Sequence, residues 1–308
     1  MEQISVTNPV GRAIEHVRRV LFNPFDIGKW FVIGFCAWLA PLGESGGSGG
    51  GNFNNSTRNG GDVHQQFEHA RSYVLENLAW IVPLGIFIFA LVVILMIVFT
   101  WLNSRGKFMF LHCVALNRAE IAEPWKKYEA QANSLFWFRL ALLGIGMVLT
   151  LPLLVFMAMV AFPMFRNESW NFAGIMILVG LFLACFLINL IFLLIRKFTT
   201  DFVVPIMYLR GCRCMEGWRE FRQQLLRVHV GNFALYLLFQ IVIGLVTGAM
   251  IFAVIIITCC IAGCLLALPY LGAVLLLPVT MFKRAYSLYY LAQYGPSYNV
   301  FPPPATTP

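Results

Sequence analysis

The chain reads as an all-α, polytopic membrane bundle: six spans arranged as three hairpins, with amphipathic helices on the cytoplasmic side. Three observations predict this. Of 308 residues, 59% are hydrophobic and only 12% charged, with a mean hydropathy of +0.75, whereas a soluble domain is usually about 25% charged. Residues 172–195, FAGIMILVGLFLACFLINLIFLLI, run for 24 residues without a charge, and seventeen of them are Leu, Ile, Val or Phe. A helix of that length reaches roughly 36 Å, enough to cross a bilayer with some tilt, and lipid leaves the backbone no other way to satisfy its hydrogen bonds. Finally, Lys and Arg are unevenly placed among the apolar runs.

Residues 8–22, NPVGRAIEHVRRVLF, open with Asn8-Pro9, a cap followed by a first-turn proline. Val10, Ile14, Val17 and Leu21 share one helical face and Arg12, Arg18 and Arg19 lie off it, which predicts a basic surface helix. Asn23-Pro24 restarts the helix with Asp26 in its first turn, and a first span over 25–42 follows in which Lys29 must snorkel. A cleaved signal peptide is disfavoured, because the charged lead is long and Pro41 follows Ala40. Residues 43–61, GESGGSGGGNFNNSTRNGG, are a Gly-rich outer loop, and 63–78 have an amphipathic pattern. The second, third and fourth spans are expected at 79–102, 138–162 and 172–195. The fifty uncharged residues from 233 to 282 are too long for one helix and divide into spans 233–257 and 262–282, with Pro269 and Pro278 kinking the sixth. Residues 1–295 thus form one membrane domain, and 296–308, rich in proline, a disordered tail. Nineteen of the 22 Lys and Arg fall on one side of this arrangement, counting Lys29 and Arg139 at its edge; Arg58, Arg71 and Arg166 fall on the other. The positive-inside rule then puts both termini in the cytoplasm, in the inner membrane.

The two large inner connectors resemble each other. Each has a basic collar, an apolar strip and the pattern E-x-W-[KR]-x-[YF]: Glu123 to Tyr128 in one and Glu216 to Phe221 in the other, 93 residues apart without a gap. A third collar, Lys283-Arg284, leads into AYSLYYLAQYG. The pattern predicts internal repetition. Its tryptophans, Trp125 and Trp218, are candidate interfacial anchors. Six spans, the stretch Asp201 to Gly211 (DFVVPIMYLRG), the Trp-bearing helix after it and the ending RAYSLYYLAQYGP resemble a broad group of uncharacterised prokaryotic membrane proteins built on a domain of unknown function. That group is similar to the membrane domain fused to some glycerophosphodiester phosphodiesterases. The resemblance implies a prokaryotic cytoplasmic membrane; no catalytic residue carries over, since nothing here matches the phosphodiesterase domain itself.

The chemistry-bearing motifs are few. No G-x-x-x-x-G-K-[ST], G-x-G-x-x-G or H-E-x-x-H occurs. His64 and His69 lack the spacing that puts two ligands on one helical face, and the eight cysteines show no paired C-x-x-C, so buried structural thiols are expected and no cofactor or metal. No span carries a centrally placed charge, which argues against an ion-coupled transporter. The candidate intramembrane polar residues are Asn189 and Gln240, with Thr247; interhelical hydrogen bonding is their bland role. Gly244-x-x-x-Gly248 suits homo- or hetero-oligomer packing through the fifth span. The sharper candidate is an inner-face charge cluster of Arg105, Glu123, Asp201, Arg210, Glu216 and Arg284. Read structurally, the three acids pair with the three arginines and clamp the inner helices; read functionally, the cluster is a basic pocket for the anionic head group of a membrane lipid. Net charge +8 is topogenic and lipid-facing rather than a sign of nucleic-acid binding. The expected function is a non-enzymatic scaffold, assembly partner or lipid-linked regulator, with a facilitator of a lipid or small neutral solute as the alternative.

Overall fold

The structure is a computed structural model that describes residues 4–42, 78–166, 171–258, 263, 266 and 268–301. The Gly-rich segment 43–61, the amphipathic pattern at 63–77, the reversal near 259–262 and residues 302–308 lie outside the described residues. Those described are all-helical, without strands. The first helix, α1 (Asn8–Val17), continues as a π-helical turn over Arg18–Phe22. Then come α2 (Ile27–Leu39), α3 (Leu78–Leu116), α4 (Ala122–Lys127), α5 (Glu129–Arg166) and α6 (Phe172–Phe198). A π-turn at Thr199–Val203 joins α6 to α7 (Val204–Arg210); α8 (Cys214–Glu220), α9 (Val230–Ile257), α10 (Pro269–Leu275), α11 (Leu277–Ala292) and a 3-10 turn at Pro296–Tyr298 complete the chain.

Four continuous helical stretches are long and apolar enough to cross a membrane: Trp80–Leu116, Glu129–Met164, Phe172–Arg210 and Val230–Ile257. Their apolar side chains face outward, as Ile86, Phe87, Phe89, Val148, Phe182 and Leu245 show. That is the inverse of a soluble protein and the arrangement lipid requires. The other two expected spans differ from expectation. Helix α2 has 13 residues, about 20 Å, which is short of a full crossing. Asp26 is its N-cap rather than a first-turn residue, its carboxylate accepting from the Gly28 and Lys29 amides. Lys29 does not snorkel freely but donates to Asn117 Oδ1 at 2.6 Å. The sixth apolar run is interrupted at Leu276, with Pro278 in the first turn of α11, so proline divides this segment rather than bending it.

The core lies at the basic ends of the helices, where Lys and Arg collect. Strips that read as connectors are helical and buried: Phe108–Ala115 at the end of α3, Phe202–Met207 across the π-turn into α7, and Ala285–Leu288 with Tyr290 and Leu291 in α11. Phe202 sits at its centre, stacked on Phe221 at 5.4 Å and edge-on to Phe233 at 5.1 Å. Helix α3 ends where Asn117 takes a left-handed conformation (φ 58°), and α7 ends the same way at Gly211 (φ 67°). Helix α1 packs along α11, α2 against α3 and α10, and α5 against α3 and α6. The tail also departs from expectation in its first residues: Tyr298 and Val300 are buried, and Phe301 stacks on Tyr289 at 4.2 Å. Aromatic burial outweighs the flexibility suggested by the prolines around it.

Candidate functional site: a basic cleft at the inner end of the bundle

The basic ends of α3 and α6, the π-turn after α6 and α11 bring Lys107, Lys197, Asp201, Lys283 and Arg284 around one cavity of about 270 Å³, which Ala37, Ala40 and Pro41 of the α2 region also line. A second space, about 660 Å³, opens between α5 and α6. Its walls are apolar, with Leu143, Met147, Phe192 and Leu193; Asn189 lies at one end and Arg196, Lys197, Thr200 and Asp201 at the other. The two spaces share Lys197, Thr200 and Asp201, so the apolar groove and the cationic cleft adjoin at these residues.

Asp201 is the one carboxylate lining either space and is 7% exposed. It pairs with Lys197 at 2.8 Å and accepts from the Tyr236 hydroxyl at 2.9 Å. Gln240 donates to that hydroxyl at 2.9 Å and accepts from Lys197 Nζ at 3.5 Å, so it orients Tyr236 and, as expected, links two long helices, α6 and α9. Arg284, also 7% exposed, donates through Nη1 to the Thr200 carbonyl, while its Nη2 has no hydrogen-bond partner. Burial lowers the Arg284 pKa to about 10, partly offset by attraction to Asp201, so it stays charged at neutral pH. Lys107 donates to Thr200 Oγ1 at 2.7 Å.

The expected clamp pairs do not form as drawn. Asp201 takes Lys197, with Arg284 nearby. Arg105 pairs with Glu129 at 2.8 Å, not with Glu123, and its guanidinium lies between the rings of Trp101 and Trp125 at 4.7 and 4.8 Å. Trp125 is thus a cation–π partner as well as a boundary residue. Arg210 pairs with Glu220 at 3.3 Å, whereas Glu216 caps the start of α8 by accepting from the Arg213 amide at 3.1 Å. Glu123 lies near His112 and Glu120 at the end of α3. Trp218 donates to Thr199 Oγ1 at 3.1 Å. Asn189 turns its amide back to the Cys185 carbonyl. Of the six cluster residues, only Asp201 and Arg284 line the chamber. Lys107, Lys197 and Lys283, which are not among the six cluster residues, are its other walls; the sequence signal for them is the three basic collars. Of the thiols, Cys36, Cys113 and Cys214 are buried and free, and burial pushes Cys214 up to about 12, so it stays protonated and inert.

The arrangement suits an anion with an apolar tail: cations and the Thr200 hydroxyl at one end, a hydrocarbon-lined groove at the other. No curated protein and no solved structure matches the chain. The family model described as a family of unknown function (DUF7544) matches residues 4–276. The chain therefore belongs to the DUF7544 family, a family of unknown function.

Proposed function

We propose that this protein is a multi-pass cytoplasmic-membrane protein that acts without catalysis, as a lipid-linked scaffold or regulator holding an anionic lipid in its basic cleft. What carries the reading is that the 660 Å³ apolar groove adjoins the cleft of Lys107, Lys197, Lys283 and Arg284 through shared lining residues, with Asp201 the one carboxylate that lines them among the described residues. A lipid lying in the groove would place its acyl chain along Met147, Phe192 and Leu193 and its phosphate by Arg196 and Lys283. Six crossings with both termini cytoplasmic, paired as three hairpins, belong to the same proposal. They rest on the four long helices, on the apolar runs 25–42 and 262–282, longer than the helices α2 and α10 within them, as the remaining passes, and on the asymmetry of Lys and Arg. The resemblance to membrane domains found beside phosphodiesterases supports a prokaryotic setting and lends no catalytic residue. Gly244 and Gly248 face open space on α9, which is what a packing face for a second helix requires.

The test is the lipid content of the purified protein by native mass spectrometry, comparing wild type with Arg196→Glu and Lys283→Glu, both on exposed side chains. Each cation near the membrane surface is worth about 1 kcal/mol, so each reversal should lower retained anionic lipid about fivefold or more. Equal retention across the three proteins overturns the reading. The facilitator alternative is favoured by one observation, that Asn189 lines the groove eight residues into the membrane from Lys197. Flux of lipid or neutral solute in proteoliposomes, absent from protein-free vesicles, would establish it instead.

A further inference from the structure

Away from the cleft, the inner end of α3 carries a second chemical cluster. The candidate ligand atoms of His112, Glu120 and Glu123 all lie within 4.8 Å of one another. His112 is 1% exposed, Glu120 half-buried and Glu123 exposed. The left-handed turn at Asn117 reverses the chain after α3 and lays Glu120 and Glu123, three residues apart at the start of α4, beside the last turn of that helix. We propose that His112, Glu120 and Glu123 bind a divalent transition-metal cation, of the zinc or manganese kind, on the cytoplasmic side of the protein.

Four observations support it. His112 Nδ1 is 3.0 Å from the Tyr208 hydroxyl, while its Nε2, though buried, has no hydrogen-bond partner. A buried imidazole nitrogen left this way needs an explanation, and a metal supplies one. With Nδ1–H donating to Tyr208, the Nε2 lone pair points away as a ligand, and metal-bound histidines are commonly oriented by such a second bond. One imidazole and two carboxylates form an accepted donor set for these ions, and water would complete the coordination. Tetrahedral ligands about 2.1 Å from a metal stand about 3.4 Å apart, so the ligand atoms, all within 4.8 Å of one another, need close by little more than about 1 Å, which rotation of the exposed Glu123 side chain can supply.

The cluster is also not a by-product of the repeat. Positions 93 residues on from His112, Glu120 and Glu123 are Pro205, Arg213 and Glu216. There Glu216 spends its carboxylate on the Arg213 amide, whereas Glu123 makes no such bond among the described residues. The one competing ion pair, Arg118 to Glu120 at 4.0 Å, is exposed and too weak to hold the carboxylate.

The test uses the full-length protein purified without a histidine tag and stripped with a chelator. Zn²⁺ or Mn²⁺ is titrated in at neutral pH, and bound metal is counted by mass spectrometry after desalting. One ion per chain is expected, with thermal stability rising with metal concentration. Glu120→Gln and Glu123→Gln should each weaken binding at least tenfold, and Tyr208→Phe should weaken it less. Glu216→Gln, at the repeat-equivalent position, should leave it unchanged. His112→Gln should abolish binding, and the glutamate variants decide the matter if that protein does not fold. Failure of the wild type to bind one ion, or undiminished binding by the Glu120→Gln/Glu123→Gln double variant, overturns the proposal.

Discussion

Replacing Asp201 by Asn removes the single negative charge from a chamber of four cations while keeping the shape and an oxygen that the Tyr236 hydroxyl can still donate to. At 2.8 Å and an effective dielectric of about 20, the Lys197–Asp201 attraction is about 6 kcal/mol gross. Two terms reduce it. Neutralising Asp201 returns its desolvation cost, and the Lys197 side chain, 36% exposed, is partly screened by water. Arg284 has no such escape. A buried pair that loses one partner costs about 3–5 kcal/mol, and discounting for the exposure of Lys197 leaves roughly 2–3 kcal/mol. For a chain of this size that is an apparent melting temperature lower by roughly 5 °C at fixed scan rate. The companion variant, Asp201→Asn/Lys197→Met, removes both charges. Its loss should be smaller than the sum of the two single losses by about 1 kcal/mol or more, the signature of coupled neighbours. An unshifted Asp201→Asn protein, or strict additivity in the cycle, would refute this account of the chamber. Asp201→Arg should prevent folded protein from accumulating; normal abundance with lost anionic-lipid binding would instead assign Asp201 to ligand recognition.

Three further outcomes follow from the packing. His16 is buried against Phe301, bonded through Nε2 to the Val114 carbonyl and through Nδ1 to the Tyr289 hydroxyl, and burial lowers its pKa below the ordinary 6.5 despite the carbonyl bond. The unfolded chain therefore takes up a proton first, so this contribution is whole above about pH 6.5 and falls away on acidification, a loss that His16→Gln should remove from melting curves between pH 8 and 5. A Cβ on Gly106 would stand 2.8 Å from the Leu39 carbonyl carbon and 2.9 Å from the Ala40 nitrogen, so Gly106→Val should separate α2 from α3 and cost about 1–3 kcal/mol or more in thermal unfolding. If both termini face the cytoplasm, tags there should resist an impermeant reagent in intact cells and react after permeabilisation; labelling of either tag without permeabilisation refutes the six-pass proposal.

The helices that cross lipid were legible in the sequence because their signal is unbroken apolar length, and 172–195 needed no other argument. Their inner ends were not. Arg105 and Lys107 were read as the collar that ends a span, yet α3 runs on to Leu116. Charge marks where a helix leaves the hydrocarbon, not where it stops, and FMFLHCVAL stays helical because its side chains meet Phe202, Tyr208 and α11. The charged residues of the site were visible individually, but their pairing depends on rotation about helices whose length had been underestimated. Hence Arg105 meets Glu129 rather than Glu123. The metal-type cluster had no signal at all in the sequence, since His112 and Glu120 come together only through the left-handed turn at Asn117.

The repeat explains why cations converge in a protein that has so few acids to spare for them. Leu78–Leu116 and Phe172–Arg210 are both 39 residues long, both end at a left-handed residue, and both lead into a short helix bearing Glu and Trp and then a second long helix. Beside them, α1 packs on α11 and α2 on α10 and α11. The two 39-residue stretches meet at their basic ends, where Lys107 bonds Thr200, 93 residues away and its equivalent in the pattern. Each brings a basic collar and α11 a third, so their meeting gathers Lys107, Lys197, Lys283 and Arg284 into one chamber whether or not a ligand waits there. Repetition alone would leave that chamber unbalanced. The balance is struck by divergence: position 108 is a buried Phe, and its equivalent, position 201, is the Asp that faces the cations. One carboxylate against four cations lets the chain fold and still leaves a net positive chamber, which is the condition an anionic head group needs.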